Sequence, residues 1–352
     1  MPTLLQSIPE GPLAIIGDIH GEIDALERLL ARIDKAPHGG DRKLVFVGDF
    51  IDRGPDSVAV VQRVADLIEK GRAVAVLGNH ELNVLLGHEK EGNGWFFEHR
   101  DHAQAEGMPS FPFPSRKATA AEKQFVHDFL QTLPLVRERE DLRVVHAAWR
   151  KGALDELPES GDLARLSHEA EAASKRKLVQ VTPLAEQERA EFAGLKDQTK
   201  KPTRFLANVA HEDSELQSGN PVKLVTSGGE VAIDPSESPF FSGGKWRFVR
   251  RHSWWQEPVD RHTVVGHYWR RRGEPIPGKD DRWKGIPAYA WSGKVFCVDY
   301  SVGKRFEERM RGARDQFNGG LGALLWPERE VVFDDREGTI AAQQVIPVAG
   351  GA

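Results

Sequence analysis

Three apolar runs in the first eighty residues all stop in the same way. Leu13-Ala14-Ile15-Ile16 meets GDIHG (17–21), Leu44-Val45-Phe46-Val47 meets GDFIDRG (48–54), and Ala73-Val74-Ala75-Val76-Leu77 meets GNHE (78–81). Short apolar runs without polar alternation read as strands covered on both faces. A covered strand that ends in glycine and then a carboxylate, amide or imidazole delivers a polar group from the core to a surface or site. The theme recurs where Leu142-Arg143-Val144-Val145 ends at His146 and Thr263-Val264-Val265 runs into GHYW (266–269).

Helical spacing fills the gaps between these strands. Ile23, Leu26, Leu29, Leu30 and Ile33 recur on one helical face, as do Val58, Val61, Ala65 and Ile68. Pro55 and Asp56 suit the start of the second helix, and Gly71 its end. A loop rich in Gly, Pro and aromatics (92–115) precedes a helix carrying Phe125, Phe129 and Leu133. Alternating strands and helices predict an α/β architecture, with ligands gathered beyond the carboxyl ends of the strands. Residues 151–261 change character, dense in charge at first and later rich in Gly, Ser and Pro. They read as a partly helical insertion. Residues 1–150 and 262–340 read as one domain interrupted by that insertion, and 341–352 as a tail. AYAW with KVFCVDY (288–300), and GALLW with VVF (322–333), read as two hairpins.

Asp18, His20, Asp49, Asn79, His80, His146 and His267 all lie at or near strand ends. Carboxylates, imidazoles and an amide together suit Mn, Fe or Zn better than Mg or Ca, which prefer oxygen-only shells. Seven donors exceed the needs of one ion, and a carboxylate can bridge, so the set predicts two divalent ions. Gly17, Gly48, Gly78 and Gly266 allow the chain to turn sharply beside them.

GD-x-HG, GD-x-x-DRG, GNHE, a strand-end His and GH, in that order, resemble the calcineurin-like metallophosphoesterases. The pattern is similar to the PPP type, which includes serine/threonine phosphatases and bacterial diadenosine tetraphosphatases. The resemblance implies a β-sandwich of two mixed sheets flanked by helices. It further implies Asp18, His20 and Asp49 around one ion, with Asp49 bridging to a second ion completed by Asn79, His146 and His267. Hydrolysis would proceed by direct in-line attack of a hydroxide held between the ions. His80 would protonate the leaving oxygen, Asp52 would orient His80, and Arg53 would grip the phosphoryl oxygens. The fourth motif reads HAAW where glycine commonly follows the histidine, and the fifth reads GHYW where protein phosphatases commonly have GHT. Asp299 ends an apolar run and reads either as a hydrogen-bond partner of a ligand histidine or as an ordinary strand-end turn.

Composition bounds the partners. A net charge of −5 gives no whole-chain reason to expect nucleic acid or a membrane surface, although a nucleic-acid end stays open as a substrate. The single cysteine, Cys297, cannot form an internal disulfide, so a reducing cytoplasm is the expected compartment. MPTLLQSIPEGP does not read as a signal peptide, and no apolar run is long enough to span a membrane. Six of the nine tryptophans and eight arginines fall between 246 and 291. They either pack the insertion or grip a polyphosphate and stack a base, in which case Arg251 and Trp254 bind substrate. The favoured expectation is a metal-dependent phosphomonoesterase of serine/threonine phosphatase type acting on a phosphoprotein or phosphorylated small molecule. The alternatives are a hydrolase of dinucleoside polyphosphates or phosphorylated nucleic-acid ends, and a catalytically silent binding module.

Overall fold

The computed structural model describes residues 3–99, 101–103, 110–242, 244–273, 283 and 286–345. Arg282 of the Trp/Arg window and residues 346–352 of the expected tail lie outside the described residues. The chain divides into two compact units. One comprises Met1–Ala147, Glu159–Asp162 and Trp255–Ala352, the other Ala148–Pro158 and Leu163–Trp254.

The first unit contains two seven-stranded sheets. In one, Leu13–Ile16 is the central strand and all four of its residues are buried, as the absence of polar alternation requires. It pairs parallel with Lys43–Phe46, which pairs parallel with Ala73–Ala75. The register sets Ile16 beside Phe46 and Phe46 beside Ala75, so the three Gly-polar motifs leave the sheet at one edge. Gly320–Trp326 covers the other side of Leu13–Ile16 antiparallel, followed by Glu330–Phe333 and Thr339–Ala341. The second sheet runs Leu5–Ser7, Val136–Glu138, Leu142–Val145, His262–Val265, Val295–Cys297, Ala290–Ser292 and Gln343–Val345. Leu142–Val145 and His262–Val265 are parallel, with Val144 beside Val264, which brings His146 and His267 to the same end.

The sheets share one apolar core. Leu13, Ile15, Val45 and Val47 of the first meet Leu142, Val144, Val264 and Phe296 of the second. Each such side chain contributes about 1.5–3 kcal/mol on burial, so the strand ends are anchored from below. Helix Ile23–Lys35 buries Leu26, Leu29, Leu30 and Ile33. Helix Ser57–Glu69 starts where Asp56 accepts a hydrogen bond from the Ala59 N–H at 2.9 Å. Both C-terminal hairpins form, with one refinement. After Cys297 the chain leaves its sheet, and Asp299–Tyr300 pairs with Gly320–Leu321 of the other. No helix among the described residues is long and apolar enough to cross a membrane.

The second unit is more than helical. Helices Leu163–Lys177, Thr182–Glu191, Ala207–Ser218 and Pro221–Ser227 are joined by two antiparallel ribbons, Glu230–Ala232 with Val249–Arg251 and Phe240–Ser242 with Lys245–Arg247. Ala185, Leu206, Val209, Ala210, Phe248 and Val249 form its core, which explains why short apolar stretches of the Gly/Ser-rich region become strands.

Candidate active site

Six residues at the convergent strand ends take left-handed backbone angles: His20 (φ 48°), Asp49 (52°), Asp52 (76°), Arg53 (70°), His267 (69°) and Trp269 (53°). For non-glycine residues this costs about 1–3 kcal/mol each, and such strain gathers where the surroundings fix a functional geometry. Two glycines make room. A Cβ on Gly78 would lie 2.3 Å from Asp49 Oδ1, and one on Gly266 would lie 2.1 Å from Asp18 Oδ1.

Buried Asp49 sits at the centre. His146 Nε2 lies 3.3 Å from Asp49 Oδ2 and 3.2 Å from Asn79 Oδ1, and His267 Nδ1 lies 2.7 Å from that same amide oxygen. The His146 Nδ1–H donates to the Val47 carbonyl at 2.7 Å, which directs Nε2 at the cluster. The assigned tautomer gives Nε2 a lone pair facing two oxygen acceptors. Three acceptors this close need a proton or a cation among them. Two donors each about 2.1 Å from one ion stand about 3–3.5 Å apart, so the set fits a metal. Without one, a proton serves. Burial opposes the charged imidazole, but the Asp49 carboxylate outweighs it and pushes His146 up to about 10.

On the other side of Asp49, His20 Nε2 lies 3.9 Å from Asp49 Oδ2 and 4.0 Å from Asp18 Oδ2. His20 Nδ1 donates to the Ile51 carbonyl at 3.1 Å, so its Nε2 lone pair also faces inward. Burial, with Arg53 and His80 nearby, holds this imidazole well below its usual range and therefore neutral, the form that binds metal. Burial and the neighbouring Asp299 carboxylate push Asp18 well above the usual carboxylate range. Burial also acts against Asp49, yet the imidazoles of His146 and His80 hold it well below. Two groups could thus hold an ion, one of His20, Asp49 and His80 and one of Asp49, His146 and His267. The first includes His80 where the family pattern would use Asp18; both face the same space, since Asp18 Oδ2 and His80 Nε2 are each near His20 or Asp49.

His80 Nδ1 lies 2.5 Å from Asp52 Oδ2, and Asp52 Oδ1 accepts from the Trp95 indole N–H at 2.7 Å. That leaves Nε2 pointing inward, 3.9 Å from Asp49 Oδ2. Arg53 Nη1 lies 3.0 Å from His20 Nε2, and its guanidinium stacks 4.4 Å from the Trp269 ring. All nine residues expected from the five motifs therefore meet in one place.

The sequence did not reveal several of their supports. Glu81, the last letter of GNHE, accepts from the backbone N–H groups of Asp49, Phe50 and Gly78 and ties two motif loops together. Trp95 comes from the aromatic loop. Trp269 and Gly303 flank His20, and a Cβ on Gly303 would lie 2.4 Å from His20 Cδ2. Apart from the local bond between Glu81 and the Gly78 N–H, their contacts with the site cross long sequence separations that no local pattern encodes. Ala147 is buried without a left-handed φ, so the HAAW departure leaves His146 in place. The bonds that Asp299 accepts come from the backbone N–H groups of Trp269 (2.6 Å) and Ser301 (2.8 Å), so it fixes the loop after His267.

Arg251 and Trp254 belong to the second unit. There the Arg251 guanidinium donates to the carbonyls of Ser227 and Gly228 at a helix end, and Trp254 is 1% exposed. A ring so covered has no open face for a base, which favours packing. Four others of the window, Trp246, Trp255, Trp283 and Trp291, are also buried; Trp269 alone of the six is half-buried.

Residues 11–181 match the family model described as calcineurin-like phosphoesterase. Among curated proteins, the asymmetrical bis(5'-nucleosyl)-tetraphosphatase PrpE of Bacillus velezensis is 37% identical over 141 residues, 38% of this chain and 55% of that one. The symmetrical bis(5'-nucleosyl)-tetraphosphatase of Ralstonia nicotianae is 43% identical over 74 residues, 21% of this chain and 24% of that one. The chain spans from about a quarter to just over half the length of these relatives. Among solved structures, the cold-active protein-tyrosine phosphatase of a Shewanella species covers 95% of this chain and 83% of its own, at 17% identity and a TM-score of 0.42. With the motif residues assembled at the ends of two packed sheets and the family model matching the segment that carries most of them, residues 11–181 of this chain are similar to the calcineurin-like phosphoesterases.

Proposed function

We propose that the protein is a metal-dependent phosphohydrolase whose substrate is a dinucleoside polyphosphate. The observation that carries the hydrolase reading is the buried donor set on Asp49 faced by the His80–Asp52 pair. The names of the relatives favour dinucleoside polyphosphates over the phosphomonoesters that the motifs alone suggested.

Asp18, His20 and Asp49 would hold one divalent ion, and Asp49, Asn79, His146 and His267 a second, with Mn fitting this mixed donor set. Bound ions supply Lewis-acid charge and lower the pKa of water. The chain's own groups do the rest. Arg53 grips the phosphoryl oxygens through its planar fork. Water attack on phosphorus expels the leaving oxygen, which takes the proton held at His80 Nε2. Asp52 accepts from Nδ1–H, stabilises the protonated ring and fixes its direction. Trp95 in turn fixes Asp52. The phosphomonoesterase reading keeps one observation in its favour, the acidic residue of DRG paired with His80.

The test is a comparison on the Mn-loaded protein of a dinucleoside tetraphosphate, a phosphopeptide and an aryl phosphate. Cleavage of the first with the largest kcat/KM supports the proposal. A larger value for the phosphopeptide selects the second reading, and no cleavage of any leaves the silent binding module.

A further inference from the structure

The main chain and stem of Arg53 are fixed from one side. The residue sits at φ 70°, its N–H donates to the Gly92 carbonyl at 3.1 Å, and a Cβ on Gly92 would lie 2.9 Å from Arg53 Cγ. The guanidinium is held differently. Asp49, Asp52, Glu91 and Asp299 all attract its charge, yet among the described residues none of them forms an ion pair with it. Attraction through space to several carboxylates does not fix the plane of a fork. Two rings do. Nη1 lies 3.0 Å from His20 Nε2, and the guanidinium carbon lies over the Trp269 ring, 4.4 Å from its centroid. That indole is itself set in place. Trp269 takes φ 53°, its N–H donates to buried Asp299 at 2.6 Å, and its ring leans on His20 at 5.8 Å. A strained backbone tied to a buried carboxylate thus brings a half-buried indole to the face of the arginine.

We propose that Trp269 is a positioning residue for Arg53, its ring covering the guanidinium and limiting the directions in which the fork meets phosphoryl oxygens. The inference rests on the grip assigned to Arg53 above and deepens it by naming what aims it. A guanidinium donates only within its plane, so a ring over its face takes no donor away from a phosphoryl group. The quadrupole of an indole also attracts the cation more strongly than that of any other side-chain ring. Without the ring the arginine regains side-chain freedom, which an arriving phosphate must then remove at the expense of affinity. Trp269 therefore matters to phosphate only while Arg53 is present. The Lys304 ammonium also lies near the ring, 5.1 Å from its centroid, so pairing each change with one at Arg53 isolates the arginine's share.

The experiment is a double-mutant cycle on the full-length Mn-loaded protein, with bound metal measured in every preparation. The readouts are the dissociation constant of inorganic phosphate by calorimetry, and kcat and KM for an aryl phosphate. Trp269→Leu should weaken phosphate about five- to ten-fold, the loss expected for one partly covered cation–ring contact. KM should rise by a similar factor while kcat stays within about three-fold. Trp269→Phe, which keeps an aromatic face, should lose only about two- to three-fold, and it carries the same cycle if Trp269→Leu does not fold. In an Arg53→Ala background either change at Trp269 should cost less than about two-fold. A residue that only packs would cost the same factor in both backgrounds, and that additivity overturns the proposal. Loss of bound Mn in Trp269→Leu overturns it too, because the ring would then act on His20. A second readout needs neither metal nor substrate. The rate at which phenylglyoxal modifies Arg53, followed by peptide mass spectrometry, should rise in Trp269→Leu and stay low in Trp269→Phe; an unchanged rate in Trp269→Leu also overturns the proposal. If Arg53→Ala leaves phosphate binding as it was while the ring still shields Arg53 from the reagent, the phosphoryl grip fails and the positioning by Trp269 stands.

Discussion

Replacing Asp52 by asparagine tests the proton path with the least disturbance to the fold. Asp52 is fully buried, and its φ of 76° is one that asparagine tolerates better than most residues. The backbone thus has no reason to move. The carboxylate accepts twice, from His80 Nδ1 at 2.5 Å and from Trp95 Nε1 at 2.7 Å. An amide of the same shape has one accepting oxygen and one donating nitrogen, so one of the two partners must face a donor. If the amide nitrogen faces His80, Nδ1 becomes the acceptor, the proton moves to Nε2, and no anion remains to stabilise a protonated ring. A hydrogen bond to a charged group contributes about 1.5–3 kcal/mol, and a buried donor left unmatched costs about 1–3 kcal/mol more. The total corresponds to a fall in kcat of about 10²–10⁴-fold, the usual contribution of a general acid. KM should change little, since Asp52 does not reach substrate. The loss should be large for a dinucleoside tetraphosphate and smaller for an aryl phosphate, whose leaving oxygen needs less protonation. Steady-state kinetics on both substrates, with the metal content of each preparation matched, decide it. Equal losses on the two substrates, or a kcat within about three-fold of the unaltered enzyme, would refute the assignment of His80 and Asp52.

Asp49→Ala should lose both ions when metal content is measured after Mn loading, because both donor groups contain Asp49; a full complement in that variant would remove the bridging role. Mn affinity should rise with pH. His146, held up to about 10 by Asp49, carries a proton at neutral pH that binding must expel, and expulsion becomes easier as pH climbs towards that value. Calorimetry across about pH 6–9 that shows no such rise would contradict the assignment of His146 as a ligand. Gly303→Ala should weaken metal binding while the melting temperature stays near that of the unaltered protein, since the added methyl meets only the His20 ring within its shortest contacts. Trp254→Ala should lower stability by about 3–5 kcal/mol in denaturant melts and leave KM for every substrate in place, as a packing residue does.

Local chain chemistry was enough to single out the side chains that the fold brings together at the strand ends. A covered strand can end in glycine and a metal-competent side chain only where that side chain has somewhere to go, and five such ends in one chain point to one destination. The same logic gave the crossover helices, because Leu26, Leu29 and Ile33 can be buried together only on one helical face. Where that logic reached past local pattern it was weaker. KVFCVDY was read as one strand of a hairpin, but pairing of Asp299 with Leu321 carries the chain into the second sheet after Cys297. Arg251 and Trp254 were drawn towards substrate by composition alone, and their hydrogen bonds and burial show the ordinary uses of such residues.

Tertiary structure decided what surrounds those side chains. Glu81, beside its local bond to Gly78, reaches the N–H groups of Asp49 and Phe50 because the ends of adjacent parallel strands bring Gly48 and Gly78 together. Trp95 meets Asp52 across 43 positions, and Trp269 meets Arg53 across more than two hundred; no periodicity in the chain encodes either pairing. Sequence alone fixed which side chains could bind metal, since that depends on residue type and on strand ends. The fold fixed their tautomers, charges and neighbours, since these depend on burial and on contacts between residues that only the packed sheets bring within a few ångströms.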